Sequence, residues 1–140
     1  MWDLLGDLHP FFVHFPVALI LFAAVAEVLF VVRKDQSFGG AARFMIHAAA
    51  LMSVPAAIAG FAGASGEQFT GTALRLFAVH RIVGITTPVL AFLASGMTEG
   101  SRRSGQVWEQ GLYRVLLALA VISVAIAGYA GALLAHHADH

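Results

Sequence analysis

Four apolar runs, each long enough to cross a lipid bilayer, occupy most of this 140-residue chain. They cover about Pro10–Val32, Ala41–Ala62, Leu74–Met97 and Gly111–Ala135. About 20 apolar residues are enough for a helix to span the hydrocarbon core. The composition agrees, because 59% of the residues are hydrophobic, against roughly 45–50% in ordinary soluble domains. We predict an all-α protein: one multi-pass membrane domain over residues 1–140, folded as a bundle of four transmembrane helices in the lipid bilayer.

Charge and cysteine content exclude several functions. Eight Lys and Arg residues balance eight Asp and Glu residues, and they lie mainly between the apolar runs. Such a chain offers no basic surface suited to nucleic acid. The absence of cysteine excludes disulfides, thiolate zinc sites and cysteine-ligated clusters. Any metal would have to be held by histidine, carboxylate or methionine.

The basic residues predict an orientation. Those flanking the first connection are Arg33, Lys34 and Arg43, and those flanking the third are Arg102, Arg103 and Arg114. By the positive-inside rule these two connections are cytoplasmic, so both termini face the periplasm of a bacterial inner (cytoplasmic) membrane. The first residues lack the basic region of a signal peptide, and we expect the first span to be retained.

Two histidines fall inside predicted spans at a similar depth. At 1.5 Å per residue, His14 lies about 6 Å and His80 about 9 Å beyond the outer ends of the first and third spans. An imidazole in a bilayer needs partners, so such a histidine is a functional hypothesis by default. Two imidazoles at one level on different helices suit the two axial positions of a haem iron. We therefore predict His14 and His80 as haem ligands.

Other residues at this level complete the predicted site. We expect Gly60, Gly84 and Gly128 to leave a slot for the tetrapyrrole. Arg81, or Arg75 on the same span, is expected to pair with a propionate. His9 precedes His14 by five residues, which turns it about 140° away on an ideal helix. His9 is therefore expected beside the cofactor and not as a second ligand from the same helix.

A second polar pair is predicted near the opposite membrane face. Glu27 and His47 lie at about the same depth on the first and second spans. A hydrogen bond or ion pair between them would relieve two polar groups at once. The pair would be structural, or it would mark a proton path or a quinone contact.

The start of the first span resembles a known family. His-Pro-x-x-Val-His-Phe-Pro-Val-Ala-Leu, beginning at His9, followed by four spans and His80 near the start of the third, resembles a bacterial family of small four-helix membrane proteins described as a domain of unknown function. The resemblance covers the whole chain, and Pro10, His14 and Pro16 carry it. Relatives that appear joined to cytochrome c or Rieske modules imply a place in respiratory electron transfer. Gly84 departs from the family pattern, in which that position tends to be polar.

These features predict a haem b protein that relays electrons near the periplasmic face, as an electron carrier or a subunit of a respiratory or other redox complex and not as an enzyme on its own. Another tetrapyrrole or a quinone stays open as the cofactor, as do a redox protein partner and a homo-oligomer. One alternative is a cofactor-free accessory subunit of a larger membrane complex. Another is a copper or zinc binder at the periplasmic face, with His9, His14, His136 and His137 as ligands.

Overall fold

The computed structural model describes residues 2–65 and 69–138 and contains five helices. They are α1 (Trp2–Asp7), α2 (His9–Arg33), α3 (Gln36–Ala64), α4 (Gly71–Ser104) and α5 (Val107–Ala138). Helices α2 to α5 are each long and apolar enough to cross a membrane, which confirms the predicted all-α fold with four spans. The short helix α1 was not predicted, because six residues are too few to register as an apolar run.

The long helices extend beyond the apolar runs that predicted them. Helix α4 continues past Met97 to Ser104, although this stretch contains three charged residues. The Glu99 carboxylate accepts hydrogen bonds from Arg102 at 2.9 Å and from Arg103 at 3.0 Å. Because such pairs, three and four residues apart, neutralise charge within one helix, the polar turn stays helical.

Two short turns fold the long helices into hairpins. Lys34 ends α2 in the left-handed conformation with φ 57°, and Gly105 does the same after α4 with φ 69°. Asp35 then caps α3, its carboxylate accepting from the Ser37 backbone N–H at 2.9 Å. This hydrogen bond and a second one, from the Ser37 hydroxyl at 2.7 Å, lower the pKa of Asp35. The turns therefore make α2–α3 and α4–α5 two antiparallel hairpins.

The two hairpins close into a four-helix ring. Packing is most extensive within each hairpin, α2 on α3 and α4 on α5, and the ring is completed by α3 against α4 and α2 against α5. Helices α2 and α4 consequently occupy opposite corners. We call the end at which α2 and α4 begin the His9 end, and the end with the two short turns the Lys34 end.

Small side chains fill the centre of the bundle. The buried alanines there include Ala23, Ala49, Ala50, Ala91, Ala94 and Ala120. Ile20 and Ile46 are the largest fully buried side chains of the described residues. Large apolar side chains such as Phe22 and Phe44 are exposed on the outside. This arrangement suits a bilayer, where close packing of small residues, and not hydrophobic burial, holds helices together.

The second hairpin repeats the first at an interval of 71 residues. The left-handed turn residues Lys34 and Gly105 are one equivalent pair. Other pairs are buried in both hairpins: Ala23 and Ala94, Ile46 and Leu117, Ala49 and Ala120. Both hairpins run in the same direction along the bundle, so they are related by an approximate two-fold axis along its length.

Candidate functional site

His9, the first residue of α2, is docked onto α3. Its Nδ1 donates to the carbonyl of Ala56 at 3.0 Å, and its ring lies against Gly60. A Cβ atom added at Gly60 would lie 2.9 Å from Cε1 of the imidazole, closer than real Cβ atoms approach other atoms. Glycine at this position therefore leaves the space that the imidazole occupies.

His80 makes the equivalent contacts on the second hairpin. Its Nδ1 donates to the carbonyl of Ala127 on α5 at 2.9 Å, and a Cβ at Gly131 would lie 3.1 Å from its Cε1. His80, Ala127 and Gly131 each follow their counterparts His9, Ala56 and Gly60 by 71 residues. The histidine, the carbonyl and the glycine are thus repeated as one unit.

The two imidazoles meet at the His9 end. Their ring centroids are 6.3 Å apart and their planes are nearly perpendicular, at 87°. A carbonyl only accepts hydrogen bonds, so Nδ1 carries a proton in both rings, and the neutral form of each ring then has its lone pair on Nε2. An imidazole held in this way is oriented as metal-ligating histidines are, with a carbonyl bonded to the other ring nitrogen. The site consequently offers two fixed imidazoles whose Nε2 atoms can bind a metal when the rings are neutral.

The structure places three other predicted site residues, His14, Gly84 and Gly128, on the outside of the bundle. His14 is exposed, and its Nδ1 donates to the carbonyl of Pro10 one turn earlier in the same helix. His80 lies at the site, where its ring contacts that of His9. Arg81 is exposed next to His80. Among the described residues, no neighbouring atom lies within 4 Å of a Cβ built at Gly84 or Gly128, so these two glycines face open space on the outside of the bundle.

A second pair of glycines brings the first helix against the third. A Cβ at Gly6 would lie 2.6 Å from the Cα of Gly63, which means that the two backbones touch. Helix α1 packs on the end of α3 through this contact. The contact lies one turn before His9 and near Gly60, so it helps to fix where α2 begins.

The predicted pair of Glu27 and His47 does not form. Glu27 is buried and accepts a hydrogen bond from Nε of Arg114 on α5 at 2.8 Å. His47 is exposed and donates from Nδ1 to the carbonyl of Arg43 at 2.7 Å. Glu27 and His47 lie at one level along the bundle, but their side chains do not meet. The Glu27 carboxylate is directed at α5, whereas the His47 side chain lies on the exposed surface of α3. Tyr113, beside Arg114, is buried, and its hydroxyl has no hydrogen-bond partner among the described residues.

The predicted copper or zinc site includes His136 and His137. Within residues 2–65 and 69–138, no group of three or more His, Asp or Glu residues is placed to hold a metal ion. His136 is exposed. The side chain of His137 and all of His140 lie outside the described residues. A copper or zinc site that includes them stays a prediction.

The chain is similar to a family of membrane proteins. No curated protein and no solved structure shows significant similarity to it. A family model described as "Predicted membrane protein (DUF2231)" matches residues 6–139. The match includes all of α2 to α5, together with both histidines of the site. The chain therefore belongs to the DUF2231 family of membrane proteins.

Proposed function

We propose that this protein binds haem b through His9 and His80 and relays electrons near the periplasmic face, as a carrier or as a subunit of a larger redox complex. The observation that supports the proposal is the juxtaposition of two anchored imidazoles, 6.3 Å apart between centroids. If both Nε2 atoms were directed at one metal ion at about 2.0 Å, the ring centres of His9 and His80 would lie about 6 Å apart. The observed spacing agrees with this value. His9 thus takes the ligand role that the sequence suggested for His14.

The residues of the chain would hold and orient the group. A bound haem supplies one-electron exchange at its iron. The carbonyls of Ala56 and Ala127 fix the tautomer and direction of the two imidazoles. A hydrogen bond at Nδ1 also makes Nε2 a more basic ligand for a metal. Arg81 is the exposed cation next to His80 and would pair with a propionate. Ligands supplied by facing helices of a bundle are a common way to build a cofactor site.

Variants of three histidines test the proposal. The protein is expressed with haem supplied, purified in detergent, and examined by reduced-minus-oxidised absorption spectra. We expect a six-coordinate b-type spectrum in the natural protein, and loss of the haem or a five-coordinate iron in His9→Ala and in His80→Ala. His14→Ala is the matched control, because its imidazole bonds within its own helix, and it should keep the spectrum.

Two other results would point elsewhere. A colourless protein that co-purifies with a large membrane complex would support a cofactor-free subunit, which the hydrogen bonds of both histidines to backbone carbonyls favour. Stoichiometric copper or zinc without porphyrin, lost in His9→Ala and His80→Ala, would identify the same pair as a site for a metal ion. Either result contradicts the haem proposal.

The proposed periplasmic location of the site has its own test. The Lys34 end carries the cations Arg33, Lys34, Arg102 and Arg103, which favours placing that end in the cytoplasm of a bacterial cell. A reporter enzyme that is active only in the cytoplasm, fused after His140, should then be silent, and the same reporter inserted after Gly105 should be active. The reverse pattern would move the histidine pair to the cytoplasmic side.

A further inference from the structure

A groove with both cationic and apolar walls opens at the Lys34 end, between α2 and α5. Its volume is about 340 Å³, and it is lined by Phe30, Val31, Lys34, Gln36, Gln110 and Arg114. The lining of this groove thus combines two cations and two side-chain amides with an apolar wall on α2. We propose that this groove binds the phosphate headgroup of an anionic phospholipid, with an acyl chain along Phe30 and Val31.

The charges of the groove suit a phosphate. Among the described residues, Lys34 has no acidic partner, so its ammonium is free to bind an anion. Arg114 bonds to Glu27 through Nε, which leaves the hydrogens on its two terminal nitrogens for other acceptors. Guanidinium, ammonium and amide N–H groups are the donors that bind phosphate oxygens. Basic pockets between membrane helices at the cytoplasmic side bind lipid headgroups for this reason.

Lys34 occupies a backbone conformation that favours glycine. Its φ of 57° lies in the left-handed region, and it is the only described residue other than glycine with a positive φ. The equivalent position in the second hairpin is Gly105. A non-glycine residue at a strained backbone position is grounds for a functional hypothesis. For Lys34 the function would be to place its ammonium in the groove.

The equivalent positions between α3 and α4 keep Arg43, the counterpart of Arg114, but differ at the other polar positions of the groove. The positions that correspond to Lys34 and Gln110 are Gly105 and Gly39, which have no side chain to bind a phosphate. Arg102, the counterpart of Val31, is engaged by Glu99 at 2.9 Å. Between the two hairpins, α2–α5 is also the less extensive of the two contacts. A lipid bound in the groove would therefore bridge the first and last spans where the ring is weakest.

The test compares lipids on the full-length protein in detergent. Short-chain phosphatidylglycerol is titrated against phosphatidylcholine of the same chain length, with inorganic phosphate in a third arm. Binding is followed by native mass spectrometry and by the shift of the thermal unfolding midpoint. We expect one bound phosphatidylglycerol and a raised midpoint, with little effect of phosphatidylcholine or inorganic phosphate.

Lys34→Gly is the decisive variant, because glycine keeps the left-handed turn while the ammonium is removed. It should weaken phosphatidylglycerol binding about fivefold, the equivalent of about 1 kcal/mol for one lysine at an anionic surface. Arg102→Gln removes one charge at the same end but outside the groove, and it should leave binding unchanged. Unchanged affinity in Lys34→Gly, equal weakening in Arg102→Gln, or an inorganic phosphate effect as large as that of the lipid would each overturn the proposal.

Discussion

Replacing Arg114 with Met should destabilise the protein by about 3 kcal/mol, the upper end of the cost of leaving a buried polar group without its hydrogen-bond partner. Glu27 is only 8% exposed, and its carboxylate receives its hydrogen bond from Arg114 at 2.8 Å. Without the guanidinium, a charge is left in a bilayer with no partner. The free energy of unfolding can be measured by circular dichroism in mixed micelles of mild and denaturing detergents.

The reverse substitution should be milder and serves as the control. The side chain of Arg114 is 42% exposed, so in Glu27→Met it can extend towards the headgroups and water. Glu27→Gln keeps a hydrogen-bond acceptor and should be milder again. The double variant with Met at both positions should recover most of the loss, because buried ion pairs are often replaced by apolar residues without cost. A larger loss in Glu27→Met than in Arg114→Met would contradict this account.

Gly60→Ala should displace His9 from α3 and destabilise the bundle. The new methyl group would lie 2.9 Å from Cε1 of the imidazole, and overpacking of this kind costs about 1–3 kcal/mol. Displacing the ring also breaks the hydrogen bond to Ala56. Thermal unfolding in detergent measures the loss, and the nuclear magnetic resonance signal of the His9 Nδ1 proton reports whether the bond survives. Gly131→Ala should act in the same way on His80, with a smaller effect because its clearance is 3.1 Å.

Two other glycines provide matched controls for this substitution. A Cβ at Gly84 or Gly128 would have no neighbouring atom within 4 Å among the described residues. Gly84→Ala and Gly128→Ala should therefore be neutral, or should stabilise the helices by up to about 1 kcal/mol, since alanine is the better helix former. If all four alanine variants behave alike, the close fit of the imidazoles against Gly60 and Gly131 is not what holds the His9 end together.

The spans were predictable because a bilayer imposes a strong local rule. Lipid offers no hydrogen bonds to the backbone, so each apolar run of sufficient length has to be a helix. This rule is local, and it located all four spans without any knowledge of their packing. It missed α1, and it ended the third span before Glu99, because pairs such as Glu99 with Arg102 extend a helix beyond its apolar part.

The repeat of the two hairpins was hidden in the sequence by its low identity. His9 and His80, Arg43 and Arg114, and Gly60 and Gly131 match at the interval of 71 residues. Most other equivalent positions differ, because a lipid-facing position accepts any large apolar residue. The interval of 71 residues that separates His9 from His80 also separates Gly60 from Gly131. This shared interval is the sequence signal that pairs His80 with His9 and not with His14.

The sequence by itself determined the number of helices, their approximate limits and the level of each polar residue along the bundle, because hydropathy and the helical rise of 1.5 Å act within one helix. The tertiary structure alone decided which of the groups at one level meet. At the His9 end it brought His9 and not His14 to His80. At the Lys34 end it paired Glu27 with Arg114 and not with His47. The position of a residue along a helix fixes its level but not the direction in which its side chain points. That direction depends on which face of the helix packs against its neighbours, and this face is set by the small side chains of those neighbours.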